Sequence, residues 1–395
     1  MERTGRIPSI DLFRGLTILV MVFVNDTDGV TGVPAWARHM AANVDGMTFV
    51  DVVFPAFLFI VGMSIPFSLG QRLQRSASGL AVQQHILGRT LGLVIIGFFM
   101  VNAEDGFNPR FMALPISLWS LLSYACFYLI WGVYGSGRPG GGVHVLRSVG
   151  VLGLVTLALA YHGGPDGKQW MTPQYWGILG LIGWAYLIGA AVYQWAGRSV
   201  IATLTAVAVC VAYFALGHWS GLSGHPVLAV LLAQDLNATH AAIVLCGLAT
   251  SLIFFDSRAV HSKWRPLLYA LGLAAVLFIA GHFLRPAFPV SKIYATPSWG
   301  LYSAAICVVL FLLLYLIVEI KGFKRWAGFV EPAAVNPLVT YLLPFVVEAI
   351  LTLCGVGLPP ALRAGVAGVL CSVGYTAAIL GAAYFLTRWN VRLAP

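Results

Sequence analysis

Polar residues in this chain fall into short runs that separate long apolar stretches. A helix of about 20 apolar residues crosses a ~30 Å hydrocarbon core. Stretches of that order recur about twelve times, at 10–25, 49–69, 86–103, 111–134, 146–162, 175–196, 199–217, 237–255, 265–284, 298–320, 335–353 and 365–387. No water reaches that depth, so each spanning segment must satisfy its own backbone, and helices are the default solution. The pattern predicts an all-α fold: a polytopic transmembrane helical bundle of about twelve spans, within a range of ten to twelve. A transmembrane barrel would need short strands of alternating polarity, which uninterrupted runs such as Ala304–Val318 exclude. The connections are too short for an extramembrane domain, so one integral membrane domain is expected over residues 1–395.

Composition agrees: 59% of the 395 residues are hydrophobic and 9% charged, against about a quarter charged in soluble domains. A net charge of +9 would suggest nucleic acid in a soluble protein, but its distribution points to the lipid bilayer instead. With the N-terminus in the cytoplasm, sixteen of the 23 Lys and Arg residues fall on inside connections and helix ends, six fall outside, and Arg14 lies within the first span. Basic residues favour the cytoplasmic side, so both termini are expected there. The first span carries Asp11 and Arg14 and lacks a small-residue cleavage site, which reads as a retained helix rather than a signal peptide. The six cysteines are scattered and form no Cys-x-x-Cys pair. They read as small core residues, and no His/Cys spacing suggests a metal site.

Three outside segments concentrate polar groups. The 26–48 loop holds Asp26, Asp28, Trp36, His39, Asn43 and Asp45; the 218–236 loop holds His218, His225 and Asp235; the 285–297 segment has three prolines and two basic residues. His39 is the sharpest candidate, because histidine as a residue type titrates near neutrality and suits proton abstraction. Asn25, at the outer end of the first span, is placed to orient it or to donate to an oxyanion. Asp51 stands in the first turn of the second span, where the helix dipole favours a carboxylate, and is assigned a structural or site-orienting role. Asp11 and Arg14, three residues apart, read either as a self-neutralising pair or as a presentation of Arg14 to an anion. Glu348 follows Pro344 by four residues and marks either a cavity lining or a kink. His240 and His282 read as hydrogen-bonded structural histidines.

The strings SIDLFRGLTILVMVFVN (Ser9–Asn25), His39 and DGMTFVDVVFPAFLFIVGMSI (Asp45–Ile65) resemble the transmembrane acyltransferase family of heparan-α-glucosaminide N-acetyltransferase. SKIYATPSWGLYSAAICVVLFLLLYLIVEIKG (Ser291–Gly322) and Asn336 in VNPLVTYLLP are similar to its C-terminal spans. The family-like ends cover 9–65 and 291–345, with a divergent middle at 146–217. Family members often carry Arg-Ile-Pro-Gly-Val-Leu-Gln-Arg where this chain has Ala113–Ser120, without either arginine. The resemblance is to bacterial inner-membrane members associated with N-acetylglucosamine utilisation. It implies acetyl transfer from cytoplasmic acetyl-CoA to a glucosamine-type amino sugar at the periplasmic side, with His39 and Asn25 matching the family's active-site histidine and asparagine.

On that basis acetyl-CoA is expected near Arg14, Lys321, Lys324 and Arg325, and the sugar near Asp45, Trp299, Tyr302 and Asn336. Lys292 would repel an ammonium group or contact an anionic one. His39 acts as general base for direct attack or carries the acetyl group itself, and the sequence does not choose between the two. No metal or nucleic-acid partner is expected, and a homodimer is left open. The competing reading is a secondary transporter of an amino sugar, against which no six-plus-six repeat is visible.

Overall fold

The computed structural model describes residues 7–74, 79–134, 140–218, 234–256 and 264–395. Among the described residues thirteen α-helices carry the fold, and extended pairing is confined to isolated bridges. They run α1 Pro8–Thr27, α2 Val50–Gln74, α3 Gly79–Glu104, α4 Ile116–Trp131, α5 Gly140–Leu159, α6 Gly177–Ala196, α7 Val200–Gly217, α8 Asp235–Phe255, α9 Arg265–Leu284, α10 Pro297–Tyr315, α11 Glu331–Val335, α12 Pro337–Leu353 and α13 Gly365–Arg388. Every predicted apolar stretch is helical. Among the described residues ten helices are long and apolar enough to span, and a bent pair raises the number to eleven.

The two departures from twelve full spans have local causes. α4 has 16 residues because Pro115, extended at φ −52° and ψ 138°, starts it and Gly132, extended at ψ 139°, ends it. Residues 326–335 and α12 meet at an 83° bend. The break falls on Asn336, at φ −131° and ψ 59°, because a residue preceding proline is pushed out of the helical region.

The chain forms two compact units, one of residues 1–24, 33–87 and 184–331, the other of 25–32, 88–183 and 332–395. In the first, α8 is the central rod, with 94% of its spanning window buried. Its small residues let α2 cross at near-backbone distance. A Cβ added at Gly62 would lie 1.8 Å from the Val244 carbonyl oxygen, and one at Gly247 would lie 1.9 Å from that of Phe59. Small residues serve this purpose in membranes, where packing rather than water exclusion holds helices together. Phe13 of α1 packs its ring against Phe59 of α2 and Phe311 of α10, with centroids 6.4 and 6.3 Å apart. α10 ends in a π-helical turn, Leu316–Ile320, whose Glu319 accepts from the Ser9 N–H and Oγ at 3.4 and 3.3 Å. That carboxylate meets the amide end of α1, where negative charge is favoured.

In the second unit α3 and α6 approach through glycine as well, a Cβ at Gly97 falling 2.3 Å from the Gly180 nitrogen. Several of its buried polar groups tie neighbouring segments together. The Asn102 amide donates to the carbonyls of Phe98 and Thr172, both at 2.8 Å, and accepts from the Thr172 N–H. The Trp119 indole donates to the Leu157 carbonyl at 2.9 Å, tying α4 to α5. Asp26 accepts from Arg363 and Ser372.

Candidate active site

The 33–49 loop and the start of α2 bring His39 onto Asp51. The chain from Thr48 to Asp51 is half of a capping box: the Thr48 N–H donates to Asp51 Oδ2 at 3.0 Å at the opening of the helix. Oδ2 also accepts from the Met40 N–H at 3.2 Å and the Thr48 Oγ1 at 3.3 Å. Oδ1 is left for His39 Nδ1, 2.7 Å away. The Asp51 side chain is 0% exposed and that of His39 32%. A carboxylate that accepts two backbone N–H groups is ionised and has only acceptors to offer. His39 Nδ1 must therefore carry the hydrogen, which leaves the Nε2 lone pair as the basic site. Asp51, given a structural or site-orienting role on sequence grounds, accepts from the loop backbone and from the His39 ring.

Segment 285–297 closes over this pair. Asp45 accepts from Arg285 Nε at 2.9 and 3.1 Å and from the Val290 N–H at 2.8 Å. The Gly46 N–H donates to the Val290 carbonyl at 3.1 Å, and Ser291 Oγ donates to the Ala42 carbonyl at 3.3 Å. The Val290 N–H, and then the guanidinium of Arg285, hold the Asp45 carboxyl below its ordinary range. Beyond this clasp, Ser291–Thr296 folds on itself: the Thr296 N–H donates to the Ser291 carbonyl at 3.1 Å, and Thr296 Oγ1 accepts from the Ser291 N–H at 3.0 Å. The turn holds Ala295 at φ +44°, in the left-handed region that costs an L residue about 1–2 kcal/mol. It places Lys292 Nζ 3.1 Å from His39 Nδ1 and 3.2 Å from Nε2. Those nitrogens flank a single ring carbon, so an atom nearly equidistant from both at this range lies over the ring face.

The other predicted residues divide. Trp299 underlies the dyad, its indole donating to the Asp51 carbonyl at 3.2 Å, and at 0% exposure it offers no face to a ligand. Exposed aromatic surface on the same loop comes from Trp36 and Phe49, 68% and 43% exposed with ring centroids 5.9 Å apart. Phe49 was not singled out in the sequence. The Asp45 carboxylate is engaged by the clasp. Tyr302 turns to α9, its hydroxyl 3.4 Å from His282 Nδ1. His240 is buried with Nδ1 lacking a hydrogen-bond partner among the described residues, and Phe54 and Trp299 pack edge-on to its ring. Asn25, exposed, and Asn336 belong to the second unit. The Asn336 amide donates to the Val391 carbonyl at 2.7 Å, fastening the C-terminal segment.

Arg14 and Asp11 pair at 3.0 Å, and Arg14 also donates to Ser64 Oγ at 2.9 Å. Ser64 lies thirteen residues beyond Asp51 on α2, about 20 Å along the axis at the α-helical rise. Lys321 and Lys324 are exposed just after the π-turn of Glu319, which caps the start of α1. Arg325 opens the 3-10 helix that follows, Arg325–Val330. The first unit thus has a histidine end and a basic end. Among the described residues no group of three or more metal-ligating side chains occurs. His225 lies outside the described residues.

Two curated proteins are similar over part of the chain. Heparan-alpha-glucosaminide N-acetyltransferase of Mus musculus is 40% identical over 105 residues, which is 27% of this chain. That of Homo sapiens is 39% identical over 104 residues, or 26% of it. Each match spans 15% of the relative's length. A family model described as a domain of unknown function, DUF5009, matches residues 6–214, just over half of the sequence and inclusive of His39 and Asp51. The chain is therefore a multi-helix membrane protein that belongs to the DUF5009 family, with likeness to heparan-alpha-glucosaminide N-acetyltransferase.

Proposed function

We propose that this protein is a membrane acetyltransferase that moves an acetyl group from acetyl-CoA to the amine of a glucosamine-type sugar. The observation that carries this reading is the buried Asp51 carboxylate holding His39 by Nδ1 at 2.7 Å, which leaves the Nε2 lone pair as the site that takes a proton. The likeness to two N-acetyltransferases supports the choice of reaction.

The acceptor amine is protonated in water and unreactive until it loses its proton. That proton goes to solvent; the neutral amine then attacks the thioester carbon while His39 Nε2 takes the second proton that its nitrogen sheds, and Asp51 steadies the imidazolium that forms. Asn25 keeps the role that the resemblance implies, donor to the tetrahedral oxyanion. The donor's anionic nucleotide enters at the basic end, by Arg14, Lys321, Lys324 and Arg325, on the cytoplasmic face with both chain termini. The sugar meets His39 at the opposite, periplasmic face of a bacterial inner membrane. There the exposed rings of Trp36 and Phe49 supply an apolar face for a pyranose.

The test is reconstitution of the full chain in liposomes, with labelled acetyl-CoA on one side and glucosamine on the other. Acetylated sugar, lost in His39→Ala, is the expected result. Accumulation of unmodified glucosamine without coenzyme would make the protein a transporter instead.

A further inference from the structure

We infer that Lys292 is a second catalytic group of this reaction, the cation that takes up the negative charge leaving with the sulfur of the acyl donor. The inference rests on the acetyltransferase reading and adds a residue to it. Its ammonium lies within 3.2 Å of both ring nitrogens of His39 and over the ring face, so base and cation reach the same reacting carbon from adjacent positions.

The segment that carries Lys292 has fastenings of its own. The segment is fastened by Asp45 with Arg285, by the Gly46–Val290 backbone bond and by Ser291 on Ala42, none of which uses the Lys292 side chain. An ammonium at this range from an imidazole is moreover repelled whenever the ring carries its proton. A closed Ser291–Thr296 turn nevertheless holds it there, with Ala295 in the left-handed region. Backbone strain that surrounding structure maintains clusters at working sites.

The step balances as follows. The amine nitrogen bonds to the acetyl carbon while its proton passes to His39 Nε2. The carbon–sulfur bond breaks, and the sulfur keeps the electron pair. Lys292 Nζ stabilises that thiolate and gives it a proton, so the products are the N-acetyl sugar and the free thiol. His39 then releases its proton to solvent and Lys292 regains one. A thiolate leaves more readily with such a partner, and one well-placed donor at a developing anion contributes about 10²–10³-fold to rate.

The experiment uses the full chain in liposomes, with Lys292→Met and Lys292→Arg each checked for wild-type melting. Lys292→Gln replaces the Met variant if that one does not fold. With acetyl-CoA and glucosamine, kcat is expected to fall about 100-fold or more in the neutral variant, with KM for acetyl-CoA moving only a few-fold. The Arg variant, which keeps the charge but transfers a proton poorly, should lie between. As a binding readout, at a pH where the thiol ionises, the wild type is expected to prefer CoA to desulfo-CoA and the neutral variant to bind both alike. An unchanged kcat, or a change confined to the acceptor's KM, overturns the role of Lys292 and leaves His39 standing. A wild type inert with acetyl-CoA overturns the acetyltransferase reading and this assignment together.

Discussion

Asp51→Asn separates what the Asp51 carboxylate does for folding from what it does for His39. Asp51 Oδ2 accepts the N–H groups of Met40 and Thr48, and Oδ1 accepts Nδ1–H of His39. An asparagine has one oxygen and one NH₂, so it satisfies one side only. With the NH₂ toward the loop, two backbone donors at a fully buried position lose their acceptor, at about 1–3 kcal/mol each. With the NH₂ toward His39, both backbone bonds survive and the ring changes tautomer, a smaller cost of about one hydrogen bond's rearrangement, ~1 kcal/mol. The second orientation wins by a few kcal/mol, and it places the hydrogen on Nε2, where the base is needed. The variant should therefore melt within a few degrees of the wild type and lose about 10²–10⁴-fold in kcat, the range seen when a histidine base is held in the wrong tautomer. Melting in detergent and acetyl transfer in liposomes are both measured. A variant that melts much lower yet turns over normally would refute the reasoning, because it would mean that Asp51 serves the loop and not the ring.

Three further outcomes follow from the same geometry. Gly62→Ala drives a Cβ to 1.8 Å from the Val244 carbonyl, a backbone atom that cannot turn aside. The loss should reach or exceed about 1–3 kcal/mol in a detergent unfolding titration, and a neutral result would disprove the close crossing. Ala295→Gly, at φ +44° and 2% exposed, relieves left-handed strain without opening much space. It should raise stability by up to about 1 kcal/mol, and a clear loss on melting counts against the turn. The clasp at Asp45 has a defined pH dependence. Its carboxyl titrates below the unfolded value of 3.8, so its contribution is complete above that pH and is lost as pH falls through the lower, folded value. Hydrogen exchange at the Val290 amide, corrected for its intrinsic rate, should stay protected down to about pH 4 and lose protection below; protection independent of pH in Asp45→Asn alone would be the signature, and the same flat profile in the wild type would contradict it.

The helices were legible because a bilayer imposes a single length scale on apolar runs, and all twelve stretches emerge as helix. What blurred was punctuation. Pro115 shortens α4 and Asn336-Pro337 breaks the eleventh stretch, both signals present in the sequence but outweighed by continuous hydropathy. In the site, His39 was conspicuous as a loop histidine and Asp51 as a first-turn acid, yet nothing in their twelve-residue separation disclosed a direct bond. Lys292 was read as repelling an ammonium group or contacting an anionic one, with its histidine neighbour undisclosed, since residues 39 and 292 meet through tertiary contacts such as the clasp of Asp45 on Arg285. Trp299 and Tyr302 lie three apart on α10, where only packing decides which face looks toward α2 and which toward α9.

α2 carries Asp51 at one end and, thirteen residues on, the Ser64 that receives Arg14. It therefore behaves as a ruler between the His39–Asp51 pair and the Arg14–Ser64 bond. One residue inserted near Leu58 would rotate everything beyond it by about 100° and advance it by about 1.5 Å, so length along this rod is a quantity that selection cannot alter in single steps.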